Sequence, residues 1–269
     1  MSRRHSLYRY PVKTIRLFQP LPARAPRVWR ALTDPHDLAA WHADVVRGRV
    51  EVGRTLELEW PKLGAALTLA VERIVPGQQL ALSSPLGNLE LSIVRGGLEL
   101  RHTGAFDEEM RAGTESSWKI TLAILSNYLA RHVGRRRHVH WATVRARASA
   151  ELCHAYFSER DLLSSWLGNA EASIGPTNSL ADLVLAQGRR VRGPVLSHTE
   201  GRDLAIRWGE ADDSVLVLRT LSAPHEPGMR HLLLGWSRWS EMPDADAIAA
   251  ELDAAVLRLG RRLDSIARA

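Results

Sequence analysis

The sequence predicts an α+β protein of two tandem domains, each a curved antiparallel sheet wrapped around a long C-terminal helix, with two short helices after the first strand. Three observations predict it. The segment Ala25-Pro-Arg-Val-Trp-Arg-Ala-Leu-Thr-Asp-Pro-His-Asp-Leu-Ala-Ala-Trp41 recurs in outline as Ala150-Glu-Leu-Cys-His-Ala-Tyr-Phe-Ser-Glu-Arg-Asp-Leu-Leu-Ser-Ser-Trp166, with the closing tryptophans 125 positions apart. Such a spacing repeats a whole domain, because solenoid units run about 20 to 50 residues. A period-two alternation of apolar residues follows the first copy, and a stretch of helical periodicity closes each half. The expected domains are residues 1–135 and 136–269.

The elements follow in order. Thr14 to Leu21 reads as a first strand. Pro26 suits the first turn of a helix, where its missing N–H costs nothing, and Asp34 is placed to cap a second short helix ending near Trp41. Val28, Leu32 and Leu38 form the inner face of this pair. From Val45 to Phe106 apolar residues share one parity within each strand: Leu56, Leu58 and Trp60; Leu67, Leu69 and Val71; Leu80 and Leu82; Leu89, Leu91 and Ile93; then Leu98 and Leu100, which His102 joins. The other parity carries Glu57, Glu59, Glu72, Glu90, Glu99 and Arg101, which marks a solvated face. Turn signals at Val75-Pro-Gly77, Pro85-Leu-Gly87 and Gly96-Gly97 leave only short loops, so the strands are antiparallel. A sheet with one apolar face must cover it. Residues Ser116 to His132 supply the cover, with Trp118, Leu122, Leu125 and Leu129 in one helical stripe.

The second half repeats the order with less regular patterning. Val139 to Arg147 reads as a strand, and Ala150 to Ser158 and Arg160 to Gly168 as two short helices. Strands follow at Leu180 to Ala186, Pro194 to His198, Asp203 to Trp208, Val215 to Leu221 and Arg230 to Trp236. Pro243-Asp-Ala-Asp246 suits the start of a final helix, whose apolar stripe is Ile248, Leu252, Val256, Leu259 and Leu263.

Composition narrows the function classes. With 45% hydrophobic and 25% charged residues, each half has the material for its own core. The formal charge of +6 is a small excess, concentrated in Arg131-His-Val-Gly-Arg-Arg-Arg-His138 and in Arg3-Arg4, and no basic recognition helix accompanies it, so nucleic acid is not an expected partner. A single cysteine, Cys153, excludes an intramolecular disulfide and reads as a small buried hydrophobe. The N-terminal arginines precede no apolar run, so neither a secretory signal nor a membrane span is expected and the protein reads as cytoplasmic. Walker-type, Gly-x-Ser-x-Gly, His-Glu-x-x-His and Gly-x-Gly-x-x-Gly motifs are all missing from the sequence.

The element order, together with the pattern Ala-x-x-Val-Trp-x-Ala-Leu-Thr-Asp-Pro-x-x-Leu-x-x-Trp met at Ala25 to Trp41, resembles the START-like (SRPBCC, helix-grip) superfamily. Within it the chain is similar to the family related to the activator of the heat-shock-protein-ninety ATPase. The second copy keeps Leu163 and Trp166 but has Cys153-His154 where the first has Val28-Trp29. A family Gly-Trp near the last helix is approximated by Ser117-Trp118 and by Gly235-Trp236. The resemblance implies a cavity between sheet and long helix that receives a hydrophobic small molecule, lipid-like or aromatic. The expected lining in the first domain is Leu58, Trp60, Leu69, Leu82, Leu91, Leu100, His102, Trp118, Leu122 and Leu125; in the second, Trp208 and Trp236 are the expected equivalents. The first domain is expected to hold the better-formed pocket.

No catalytic residue, metal or cofactor is assigned. His102 reads as an imidazole held by a backbone carbonyl, with ligand contact or proton transfer as the alternative. His138-x-His140 places two imidazoles on one strand face, but no third metal ligand is evident. Arg238, beside Trp239, reads as solvated rather than as a carboxylate partner. The leading reading is non-enzymatic binding of a hydrophobic guest. The alternatives are a polyketide aromatase or cyclase of the same fold, and a chaperone-regulating protein that meets its partner through the Arg131 to His138 junction.

Overall fold

The computed structural model describes residues 10–223 and 226–268, so the Arg3-Arg4 pair lies outside the described residues. In the first domain β1 (Val12–Pro20) leads into α1 (Ala25–Thr33) and α2 (Pro35–Ala39). Six strands follow: β2 (Val45–Gly48), β3 (Thr55–Trp60), β4 (Ala65–Val75), β5 (Gln79–Ser84), β6 (Gly87–Val94) and β7 (Gly97–Ala105), then α3 (Glu108–Arg131). The second domain repeats the series as β8 (His138–Arg147), α4 (Ala150–Ser158), α5 (Arg160–Ser164), β9 (Gly168–Ala170), β10 (Leu180–Leu185), β11 (Arg190–Thr199), β12 (Asp203–Trp208), β13 (Ser214–Ser222), β14 (Met229–Arg238) and α6 (Ala245–Ile266). The two seven-stranded sheets have the same order, β1-β7-β6-β5-β4-β3-β2 and β8-β14-β13-β12-β11-β10-β9.

Local chemistry sets the helix starts. Pro26 sits in the first turn of α1, and the Asp34 carboxylate accepts from the backbone N–H groups of His36 and Asp37 to start α2. The Asp107 and Ser149 side chains cap α3 and α4 in the same way. The repeated tryptophans do one job twice. Trp41 Nε1 donates to the Ala31 carbonyl at 2.9 Å, and Trp166 Nε1 to the Tyr156 carbonyl at 2.7 Å, each tying the end of the second short helix to the last turn of the first. The acid in the first motif has its own task. Asp37, buried, receives both Nη1 and Nη2 of Arg27 (2.7 and 3.1 Å) and the Tyr128 hydroxyl (2.5 Å) from α3, which locks the short helices onto the long one. Arg27 and Tyr128, through their hydrogen bonds, hold the Asp37 carboxyl below the usual range although burial opposes it.

The helices differ from expectation at their ends. α3 begins at Glu108 rather than Ser116, because its first two turns are polar and are held by the Asp107 cap and by Arg111 bridging Glu108 and Glu115 (2.7 and 2.8 Å). The segment read as helix to Gly168 ends at Ser164, and Gly168 opens the edge strand β9. Pro243 precedes α6 instead of entering it.

The domains stack in four layers: first sheet, α3, second sheet, α6. The first sheet turns its glutamate-rich face to water and its leucine face to α3. α3 is buried nearly all round, at Ile120, Leu122, Ile124, Leu125, Tyr128 and Leu129, because the second sheet covers its other side. That sheet packs Leu204, Ile206, Leu216 and Leu218 toward α6, while Ala205, Val215 and Val217 join the first domain's core. On the far side α6 comes so close to β8 that a Cβ at Gly260 would stand 2.6 Å from Val144 Cγ2.

Three arginines of the basic junction take part in this stacking. Arg131 and Arg135 pair with Asp213 and Asp212 (both 2.9 Å), and Arg137, buried, holds Asp44 (3.2 Å) and the Trp41 carbonyl (2.9 Å). His132 lies flat on Trp239, with ring centroids 4.4 Å apart, and the Trp239 N–H reaches back to the Ala40 carbonyl at 2.7 Å. Arg131, Arg135 and Arg137 therefore join the two domains to one another, while Arg136 is exposed.

Candidate functional site

A cavity of about 310 Å³ lies between the first sheet, α3 and the outer face of the second sheet. This is at the small end of the roughly 300–1,000 Å³ range of ligand pockets. Trp60, Leu67, Leu69 and Leu89 of the first sheet form one wall, Trp118, Ile120, Thr121 and Ile124 of α3 another. Val217, Arg219, Leu233 and Gly235 of β13 and β14 close it.

Four rings define its interior. His42 stacks on Trp118, with centroids 5.6 Å apart and planes at 19°, and on Trp41 behind it at 5.0 Å; Trp60 meets it edge-on at 5.8 Å. Burial, with the Arg137 charge adding to it, drives the His42 pKa down to about 3, so its ring is neutral, and its Nδ1 is buried without a hydrogen-bond partner. Trp141, from β8, is the fourth ring. It lies across β14 where Gly235 has no side chain; a Cβ there would come 2.5 Å from the indole. The Trp141 N–H donates to Asp44 Oδ2 at 3.0 Å, which fixes the ring at the junction of the domains.

His102 is held at both nitrogens. Trp118 Nε1 donates to His102 Nδ1 at 3.0 Å, which requires the proton on Nε2, and Nε2 donates to the Leu86 carbonyl at 3.2 Å. Burial lowers its pKa against the pull of that carbonyl. The ring is thus a neutral positioning group for Trp118 with neither nitrogen free to carry a proton to a guest.

Of the ten first-domain residues expected to line a pocket, Trp60, Leu69, His102 and Trp118 border this cavity. Leu58, Leu82 and Leu91 instead surround a separate apolar void of about 20 Å³, close to the size of one water, and Leu100, Leu122 and Leu125 are buried core residues. Trp208 and Trp236 border neither opening. Both are buried in the core against α6, with their N–H groups donating to the Arg190 carbonyl (2.8 Å) and Ser214 Oγ (3.0 Å). Nor are they the counterparts of Trp60 and Trp118: sheet order matches β12 to β5 and β14 to β7. Trp236, opposite His140, takes the place that His102 takes opposite Ile15, so an indole fills the second interior where an imidazole borders the first cavity.

Sequence reasoning missed His42, Trp141 and Arg219. His42 stands one residue past the repeated motif. The other two come from the outer face of the second sheet, and their available signal was the run Val215-Leu-Val-Leu-Arg-Thr-Leu221, apolar on both parities with one arginine inside it. Arg219 donates to Ser117 Oγ of α3 at 2.6 Å, and its Nε stands 3.4 Å from Asp203 Oδ2 without a hydrogen bond. Burial raises the Asp203 pKa and lowers that of Arg219.

A larger opening, about 890 Å³, is a solvent-open cleft beside α4, lined by Glu151, Glu159 and Glu200. In it His154 Nε2 and His198 Nε2 are 2.9 Å apart, and His198 Nδ1 donates to the Gly175 carbonyl at 2.7 Å. Volume favours the cleft, but an apolar guest loses water contact in the smaller, apolar-walled cavity, which is the candidate site. His138 and His140 face Glu241 (3.2 Å) and Asp253 (2.9 Å), and among the described residues no group of three or more histidine, cysteine or acidic side chains could hold a metal. Cys153 is fully buried, its thiol pKa raised by burial. No helix among the described residues is long and apolar enough to cross a membrane.

The doubled sheet-and-helix topology defines the class by fold alone: two tandem helix-grip units, each a seven-stranded antiparallel sheet with a long C-terminal helix. Residues 22–130, less than half of the chain and confined to the first domain, match the family model described as Activator of Hsp90 ATPase homolog 1-like protein, and the chain resembles that family. Among solved structures it is similar to DynU16 from the dynemicin biosynthetic locus, at 19% identity over 94% of this chain and 100% of that one, with a TM-score of 0.40. It is similar to the di-domain ARO/CYC StfQ from the steffimycin biosynthetic pathway, at 11% identity over 96% and 99%, TM-score 0.40. The Aha1 dimer from Colwellia psychrerythraea is similar to part of it, at 17% identity over 44% and 96%, TM-score 0.38. No curated protein matches the chain.

Proposed function

We propose that the protein binds a compact, largely apolar aromatic molecule in the cavity between the first sheet, α3 and the second sheet, without transforming it. One observation carries this reading: a 310 Å³ space walled by leucines and by the rings of His42, Trp60, Trp118 and Trp141, positioned where each buried Å² of guest contributes about 25 cal/mol. The second domain then serves as the closing wall of the first domain's site, and its own interior is occupied by Trp236.

An aromatase or cyclase reading needs His102 or another inward polar residue to move protons, and the two hydrogen bonds on the His102 ring speak for a positioning role for that residue. A protein partner docking on the basic junction would compete with Asp44, Asp212 and Asp213 for its arginines. Native mass spectrometry and thermal-shift screening against lipids, sterols and aromatic polyketides test the proposal. Flat aromatic compounds should raise the melting temperature, and Thr121→Trp, which fills the cavity from α3, should abolish the shift. No stabilisation by any apolar compound, or stabilisation that Thr121→Trp leaves intact, would falsify it.

A further inference from the structure

Among the residues that border the cavity, Arg219 is the one that carries a charge at neutral pH. Guanidinium groups are rarely placed against a largely apolar cavity, and this one is incompletely used. Its hydrogen bond to Ser117 Oγ employs Nη2, its Nε has no acceptor, and Asp203, the nearby acid, approaches at 3.4 Å from the side of the strand rather than in the planar two-bond geometry that pairs arginine with a carboxylate. One Asp203 oxygen, Oδ1, is likewise buried without a partner. The two are ion-paired across the sheet, but without a hydrogen bond at Nε. Asp203 and Arg219 face one another across β12 and β13, and Ser117 on α3 draws the arginine toward the first domain.

We infer that the guest is amphipathic, an aromatic body carrying one anionic oxygen group, a carboxylate or sulfonate, which docks on the cavity edge of Arg219 while the rings lie among Trp60, Trp118 and Trp141. This rests on the proposed binding function and adds the chemical class of the ligand. An oxyanion meeting a buried guanidinium forms charge-assisted hydrogen bonds in a low-dielectric setting. Without such a cation the same cavity would reject it, because an unpaired anion loses its hydration on entry.

Two fluorescent probes that share one ring system separate the terms: 1-anilinonaphthalene-8-sulfonate, which carries a sulfonate, and N-phenyl-1-naphthylamine, which does not. Each is titrated into the intact chain, into Thr121→Trp, and into the double variant Asp203→Asn with Arg219→Gln, which removes both charges and so avoids a lone buried acid. The intact chain should bind the sulfonate at least tenfold more tightly than the neutral probe. The double variant should lose that preference, and Thr121→Trp should bind neither. If the neutral probe binds the intact chain as well as or better than the sulfonate, or the preference survives in the double variant, the inference is overturned while the binding function stands; probe binding that Thr121→Trp leaves intact overturns both. Binding of neither probe to the intact chain overturns both. Circular dichroism and melting curves confirm that each variant is folded before its affinities are compared.

Discussion

His42 should make the fold acid-sensitive in a way that one substitution removes. Its ring lies between Trp41 and Trp118 with a folded pKa near 3, against about 6.5 in an unfolded chain. A depressed histidine leaves the unfolded state binding more protons at every pH between those values, so stability falls as pH drops below 6.5. At pH 5 the loss is 1.5 units multiplied by 1.36 kcal/mol per unit, or about 2 kcal/mol. That figure depends on the unfolded pKa alone so long as the folded value stays well below 5. Cation–π attraction from the indoles, about 1 kcal/mol, would lift the folded pKa by less than one unit and leave it standing. Urea unfolding of the intact chain and of His42→Phe at pH 7.5 and pH 5 measures the difference. The intact chain should lose about 2 kcal/mol more than His42→Phe, the other histidines being common to both. Equal losses in the two proteins would refute the account of a dry, neutral imidazole in the cavity wall.

Three further outcomes follow from the same geometry. Trp41→Phe and Trp166→Phe should each cost about 1–2 kcal/mol in chemical denaturation, since each leaves a helix-end carbonyl without its indole donor. Arg27→Met should cost about 2 kcal/mol by removing the two-bond partner of the buried Asp37, which keeps only Tyr128 and the more exposed Arg30 at 3.3 Å, whereas Tyr128→Phe, which leaves both Arg27 bonds in place, should cost about 1 kcal/mol. Gly235→Val should drive the Trp141 ring out of position and weaken N-phenyl-1-naphthylamine binding at least tenfold; Gly260→Ala, which crowds Val144 on the other face of the second sheet, should lower the melting temperature and leave probe affinity unchanged.

The first domain was legible because its sheet has one wet face. Glu57, Glu59, Glu90 and Glu99 alternate with Leu56, Leu58, Leu91 and Leu98, so parity alone assigns the core. The second sheet reads less clearly for a physical reason rather than through loss of the fold. Leu204-Ala-Ile206 and Val215-Leu-Val-Leu218 are apolar on both parities because α6 covers one face and the first domain the other. Treating each domain as a separate grip hid this, and with it the contributions of Trp141, Arg219 and Gly235. The leucine lining was overextended for a related reason: parity separates inner from outer residues but cannot say which inner leucines touch one another. Trp60, Leu69, His102 and Trp118 border the cavity, and all but Leu69 are rings that interrupt the leucine series.

The most direct test of the central claim is a crystal structure of the intact chain grown with N-phenyl-1-naphthylamine. The account predicts density for the naphthalene ring between α3 and the outer face of β13 and β14, in contact with both Trp118 of the first domain and Trp141 of the second. A naphthalene bound in the cleft beside His154, or a cavity closed by the Trp141 side chain with no probe inside, would contradict it.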